Sequence, residues 1–251
     1  MISNIVKGLA AYKDSFSLIG KLGLWKYFAV PMLISFLTAV LIGFSAWGLS
    51  DNLGAWIAKI WFWDWGAETF RTISNWIGAV AIIALGLILY KHIVMALSAP
   101  FMSPVSEKIE AYLYDGVHQH RDTTNLGQLW RGTKINVRNL VYELLLSIPI
   151  LLLGLIPVVN IFTSILLFLV QAYYAGFGNM DYTLERHFRY SESIKFVKQN
   201  RGFAIGNGIV FMLFLLIPVV GIILVLPISV TAASKTTLDI LNKEKQITHA
   251  R

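Results

Sequence analysis

The chain has 251 residues, 56% of them hydrophobic and only 14% charged, with a mean hydropathy of +0.64. Apolar runs this long and this free of charge do not belong to a soluble core, so the composition describes an integral membrane protein with a single membrane domain. The absence of cysteine excludes disulfides, thiol catalysis and cysteine-ligated metal. A net charge of +7 raises nucleic acid as a partner, but the basic residues flank apolar spans, which the positive-inside effect explains without one.

Residues 1–19 carry Ile2, Ile5, Val6, Leu9, Tyr12 and Phe16 at helical spacing, interrupted by Lys7, Lys13 and Asp14. This predicts an amphipathic helix, lying in the membrane interface or packed on the bundle, and not a cleaved signal. A first transmembrane helix is predicted over 24–50, because Tyr27–Ser50 runs 24 residues without a charge. Pro31 falls in its first turns, where a missing N–H costs little. Asp51–Arg71 then gathers Trp56, Trp61, Trp63 and Trp65, an aromatic density suited to a membrane–water interface. A second transmembrane helix is predicted over 72–97, broken by the segment from Ser98 to Pro104. Residues 101–143 read as interfacial or cytoplasmic helices around a hydrophilic loop.

Two charge-free stretches follow, 144–180 and 202–234, joined by a charged connector over 181–201 and ended by a polar tail over 235–251. Each holds one copy of a repeated phrase, Ile156-Pro157-Val158-Val159-Asn160 and Ile217-Pro218-Val219-Val220-Gly221. Roughly 35 apolar residues exceed one span of about 20 and fall short of two spans with a turn. The spacing therefore predicts two hemi-penetrating (re-entrant) helical hairpins, turning at Pro157 with Asn160 and at Pro218 with Gly221. Proline removes a helical N–H, and Asn or Gly tolerates the left-handed backbone of a tight turn. Two overlong, proline-kinked spanning helices are the other reading. A turn at membrane depth requires cover from protein or water, so the hairpins predict a homo-oligomer or a pore. The fold class is thus all-α: two long transmembrane helices, two re-entrant hairpins and amphipathic interfacial helices.

Lysine and arginine fix the expected orientation. The loop between the two long spans holds only Lys59 and Arg71 against three acids, and every other basic residue lies before the first span or after the second. Both termini are therefore expected in the cytoplasm.

Chemistry is sparse. His118 and His120 resemble a metal pair but sit in a polar loop, and no phosphate-cradling or nucleophile-elbow motif occurs. No enzyme activity and no cofactor or metal is expected. Glu107 and Glu110 share a helix face after the Pro100 break, as a pore or gating pair or as partners of Lys108, Arg131 or another base. Gly23-Leu24-Trp25-Lys26 stands at the entry to the first span, where helix N–H groups and Lys26 favour an anion.

Ala99-Pro100-Phe101 followed by Glu107 and Glu110, Gly23-Leu24-Trp25-Lys26-Tyr27 followed by Pro31, Asp181-Tyr182, and Ile217-Pro218 together resemble the CysZ-type sulfate permease family, which is related to the etoposide-induced membrane proteins. The resemblance implies a homo-oligomeric, multi-pass protein of the bacterial inner membrane that admits sulfate or a related oxyanion for cysteine biosynthesis. It also implies a sulfate site at Gly23, Leu24, Trp25 and Lys26. The family's arginine pair there is replaced by Trp25 and Lys26, so one positive charge and a bidentate clamp are missing. A non-transporting membrane scaffold of the same fold is the alternative expectation.

Overall fold

The computed structural model describes residues 1–59, 66–114, 124–154, 156, 158–217 and 219–249. Pro157, Pro218, Trp61, Trp63, Trp65 and the His118 and His120 pair lie outside them. Among the described residues the chain is wholly helical: α1 (Ile2–Lys21), a 3₁₀ turn (Leu24–Tyr27), α2 (Ala29–Ala58), α3 (Ala67–Leu97), α4 (Ala99–Tyr114), α5 (Asn125–Leu153), α6 (Asn160–His187), α7 (Tyr190–Gln199), α8 (Arg201–Leu215) and α9 (Val220–His249).

In α1, Gly8, Ala11, Tyr12, Ser15, Leu18 and Ile19 are buried at spacings of three and four, and the stripe packs on α8 and α9. This is the contact with the bundle that one of its two expected placements describes. Tyr12 anchors it: its hydroxyl lies 2.8 Å from the Asn207 carbonyl and 2.7 Å from Ser229 Oγ, and burial pushes its ionisation far up.

α2 and α3 pack along each other as the longest helix pair. α2 continues past Ser50 to Ala58, and α3 begins at Ala67. At 1.5 Å per residue each is about 45 Å long, longer than the ~30 Å hydrocarbon core. The predicted break from Ser98 to Pro104 contracts to Ser98 alone, where α3 and α4 meet at 66°. Pro100 falls in the first turn of α4, where no intrahelical N–H is lost; Pro104 lies within the helix.

α5 pairs with α6, and α8 with both α6 and α9. The α6–α8 crossing rests on small residues. A Cβ on Gly176 would stand 1.8 Å from the Ala204 carbonyl oxygen, and one on Gly208 would stand 1.7 Å from that of Ala172. From Tyr174 to Arg186 every residue of α6 is buried, so this half-helix is the central pillar.

The arms of both apolar segments part near the repeated phrase, between Leu153 and Asn160 and between Leu215 and Val220. The left-handed residue differs from expectation. Among the described residues it is Val219, φ 61°, whereas Asn160 and Gly221 lie in the first turns of α6 and α9. Gly221 serves a close approach: a Cβ there would meet the Phe214 carbonyl oxygen at 1.9 Å. The Asn160 side chain accepts from Ser164 Oγ at 3.1 Å.

Four described helices are long and apolar enough to cross a membrane, in α2, α5, α6 and α9, with the bent α3–α4 pair as a fifth. The arms of the first apolar segment outrun its charge-free stretch because amphipathic, charged segments continue the same helices, back to Asn125 and on to His187.

Candidate functional site

The entry to α2 is built around one backbone conformation. α1 ends at Lys21, and Gly23 takes φ 57°, ψ 41°, where no neighbour would obstruct a Cβ; the backbone angle alone calls for glycine. The 3₁₀ turn follows, and α2 itself begins only at Ala29. The turn sorts its side chains. Leu24 is wholly buried in the main apolar cluster. Trp25 is 53% exposed and meets Phe28 edge-on at 5.6 Å. Lys26 is exposed, with Nζ 5.4 Å from the Tyr27 ring centroid.

A second cation reaches the same ring from α4. Lys108 Nζ lies 5.6 Å from the Tyr27 centroid. The two ammonium groups are therefore within about 11 Å of each other, the sum of those distances, and both are inside cation–π range of one ring. Among the described residues neither has a carboxylate partner. Two lysines without counter-ions at the head of a long apolar helix make a local excess of positive charge, which attracts an anion. In the linear chain Lys108 reads only as a companion to the nearby acids, because nothing there brings residue 108 to residue 27.

Glu107 and Glu110 part company. Glu107 is exposed beside Lys108, whereas Glu110 is wholly buried. Glu110 Oε2 accepts from Arg186 Nη2 at 3.0 Å, and His187 Nε2 lies 3.1 Å from Oε1. Arg186 also donates to Ser106 Oγ at 2.9 Å and to the carbonyls of Ser103 and Tyr182 at 3.1 Å each. Arg131, a sequence candidate to pair with these acids, instead grips Asp181 through Nε at 3.2 Å and Nη2 at 3.0 Å. It further donates to the Phe188 carbonyl and to Ser193 Oγ.

A third buried set joins α3 to α5. Lys91 Nζ donates to Glu143 Oε1 at 2.6 Å, His92 Nε2 lies 3.0 Å from Oε2, and the other His92 nitrogen lies 3.4 Å from Asn136 Oδ1. Ser103 also bonds Glu185, and Ser106 bonds Thr183 at 2.7 Å, so α4 is stitched to α6 by hydroxyls as well as charges. Buried charge is tolerated when paired and hydrogen-bonded, as Lys91 is with Glu143 and Arg186 with Glu110. Their one linear signal is charge at the margin of an apolar run, as at Lys91, Glu143 and Asp181; the partners are 50 or more residues away.

Other sites carry less. A cavity of about 400 Å³ between α1 and α9 has Lys235 at its wall, held by Asp14 and Asp239 at 3.3 Å each. No group of three or more His, Asp or Glu able to hold a metal occurs among the described residues. The predicted turn residues Asn160 and Gly221 lie where the two apolar segments break, away from the Tyr27 turn in sequence and in element.

Over residues 11–225 the chain matches the family described as sulfate transporter CysZ/etoposide-induced protein 2.4. No curated protein matches it closely enough to be named as a relative. The match covers the entry turn, both long helices, the buried ion pairs and the start of α9. The chain belongs to the sulfate transporter CysZ/etoposide-induced protein 2.4 family.

Proposed function

We propose that the chain is a permease of the bacterial inner membrane that admits sulfate or a related oxyanion for cysteine biosynthesis. The Gly23–Lys26 turn is the anion's first contact. One observation carries the reading: Lys26 and Lys108 converge on Tyr27 at the head of α2, and neither is paired with a carboxylate among the described residues. Family membership supports a sulfate transporter-like role. In this assignment Lys108 supplies the positive charge that Trp25 does not. Lysine binds an oxyanion as a point charge, without the fork of an arginine, so the site is a weak one suited to release as well as capture. Glu107, exposed next to Lys108, gates by repelling anions until one arrives, while Glu110 holds Arg186 and His187 in place.

Hemi-penetrating hairpins also fit the surface. On α5 the mostly exposed apolar run from Leu145 to Leu153 spans about nine residues, roughly 13 Å at 1.5 Å per residue and under half the ~30 Å core. Such turns need cover, which a homo-oligomer provides. Both termini lie in the cytoplasm in this assignment.

The test is sulfate flux into proteoliposomes, with sulfite, selenate and chloride as competitors. Uptake blocked by the oxyanion analogues, and lowered by Lys26→Ala with assembly intact, is the expected result. Empty-liposome rates would replace the permease by a membrane scaffold of the same fold. The exposed Trp25, standing where the family places an arginine, favours that second reading.

A further inference from the structure

Where α5 meets α6 and α7 stand cations that the proposed transport does not use, none of them paired with a carboxylate among the described residues. Lys134 and Arg138 are one helical turn apart on α5, and Arg201 opens α8. Arg138 is half-buried, with its Cζ 4.8 Å from the Tyr142 ring centroid and 5.4 Å from that of Phe177. Its Nη1 donates to Asn139 Oδ1 at 2.9 Å. Lys134 stands 4.4 Å over the Tyr190 ring. Arg201 opens the helix whose Ala204 carbonyl meets Gly176 of α6, next to the Phe177 ring under Arg138, and both guanidiniums act electrostatically on the Tyr173 hydroxyl. Among the described residues none of the three cations pairs with a carboxylate.

What surrounds them is as informative as the charges. Helical spacing carries the Arg138 face of α5 down through Tyr142, Leu145 and Leu152, and the Tyr173 face of α6 down through Leu166 and Phe162. Those five residues below the charges are all exposed. The pattern is a charged head with phenols around it and two apolar rails beneath. A rail of leucines opening below the charges suits a ligand with tails. Phenols and guanidiniums at one level mark the headgroup layer of a bilayer.

We propose that Lys134, Arg138 and Arg201 hold the phosphate of an anionic phospholipid, whose acyl chains lie on the outer faces of α5 and α6. Arg138 is the anchor, because the two rings fix its guanidinium before the lipid arrives and reduce the ordering cost of binding. The lipid then covers the exposed apolar face that α5 and α6 share. This assignment stands whether or not the chain transports sulfate.

The experiment is native mass spectrometry of the purified full-length protein in detergent, titrated with phosphatidylglycerol or with phosphatidylcholine of the same chains. Phosphatidylglycerol is expected to be retained in preference, and each charge removed by Arg138→Gln or Arg201→Gln to lower its retention by about fivefold. Lys59→Gln, exposed just past the end of α2, is expected to change nothing. Arg201 is exposed at a helix start, so its variant folds even where Arg138→Gln does not. Equal retention of the two lipids overturns the proposal, as does an undiminished preference in Arg201→Gln together with Arg138→Lys. Inorganic phosphate that saturates the protein at the same concentration as phosphatidylglycerol also overturns it, and makes the cluster a free-anion site.

Discussion

Lys91 Nζ and Glu143 Oε1 lie 2.6 Å apart, and neither side chain reaches the surface of the chain. The pair ties the end of the second long helix to the middle of α5, 52 residues on. His92 occupies the second carboxylate oxygen, so Glu143 is satisfied from two sides by consecutive residues of α3. Removing one partner of such a pair leaves the other charged and stranded, which is more damaging than losing both.

Lys91→Met is therefore expected to destabilise the protein by roughly 3–5 kcal/mol. The double change Lys91→Met with Glu143→Leu is expected to cost less than the single one. Unfolding in detergent, followed by circular dichroism for the single and double variants, measures the difference. A double variant worse than Lys91→Met would show that the pair is not the unit that matters.

The glycines of α6 and α8 carry a contrasting prediction. Gly208→Ala drives a methyl group into the Ala172 carbonyl, so α6 and α8 must move apart, at about 1–3 kcal/mol. Gly43 in α2 has open space where a methyl group would stand, so Gly43→Ala is expected to be neutral or to stabilise by up to about 1 kcal/mol through helix propensity. Thermal unfolding of the two variants side by side separates packing from propensity, because both make the same chemical change.

Val219 holds a β-branched side chain at φ 61°, a backbone region that costs an L-residue roughly 1–2 kcal/mol. Val219→Gly is expected to relieve most of that strain and raise the unfolding temperature. An unchanged or lower temperature would mean that the exposed valine side chain contributes more than the backbone costs.

For the anion site, the two lysines are expected to act through charge. Lys108→Gln is expected to weaken sulfate binding by roughly two- to fivefold, the range for a solvent-exposed charge. Chloride in place of a non-ionic osmolyte should narrow the gap between wild type and variant, because salt screens exposed charges over about 10 Å at 0.1 M. Isothermal titration with sulfate at two ionic strengths reads both effects. Loss of binding in Lys26→Ala with none in Lys108→Gln would confine the site to the turn.

Gly23 is needed for its backbone and not for space. Gly23→Ala is expected to strain the turn by about 1–2 kcal/mol and to lower uptake, whereas Gly20→Ala, in open space three residues earlier, leaves uptake unchanged. Flux assays on the two variants check this.

Much of the architecture is legible in the sequence because lipid simplifies the code. A charge-free run such as Tyr27–Ser50 has one stable outcome in a membrane, a helix that closes its own hydrogen bonds. The repeated Ile-Pro-Val-Val phrase likewise marks where the arms of both apolar segments part. The details of that turn are not legible. Sequence pattern assigns the left-handed residue to Gly221, but the backbone puts it at Val219 and uses the glycine to let α9 pass the Phe214 carbonyl. A glycine says that a side chain is unwelcome; only the fold says whether an angle or a neighbour forbids it.

The class, the long helices and the family all follow from the linear chain, since each depends on residues close together in it. Which charges meet depends instead on the folded packing. Glu110 goes to Arg186, Arg131 to Asp181 and Lys108 to Tyr27, across separations of 76, 50 and 81 residues. The physical reason is that a charge at the margin of an apolar run must find a partner or a surface, yet its own neighbours in sequence do not name which one. That choice belongs to the packing of α4, α5 and α6, where a pairing is favourable only once the helices have already excluded water.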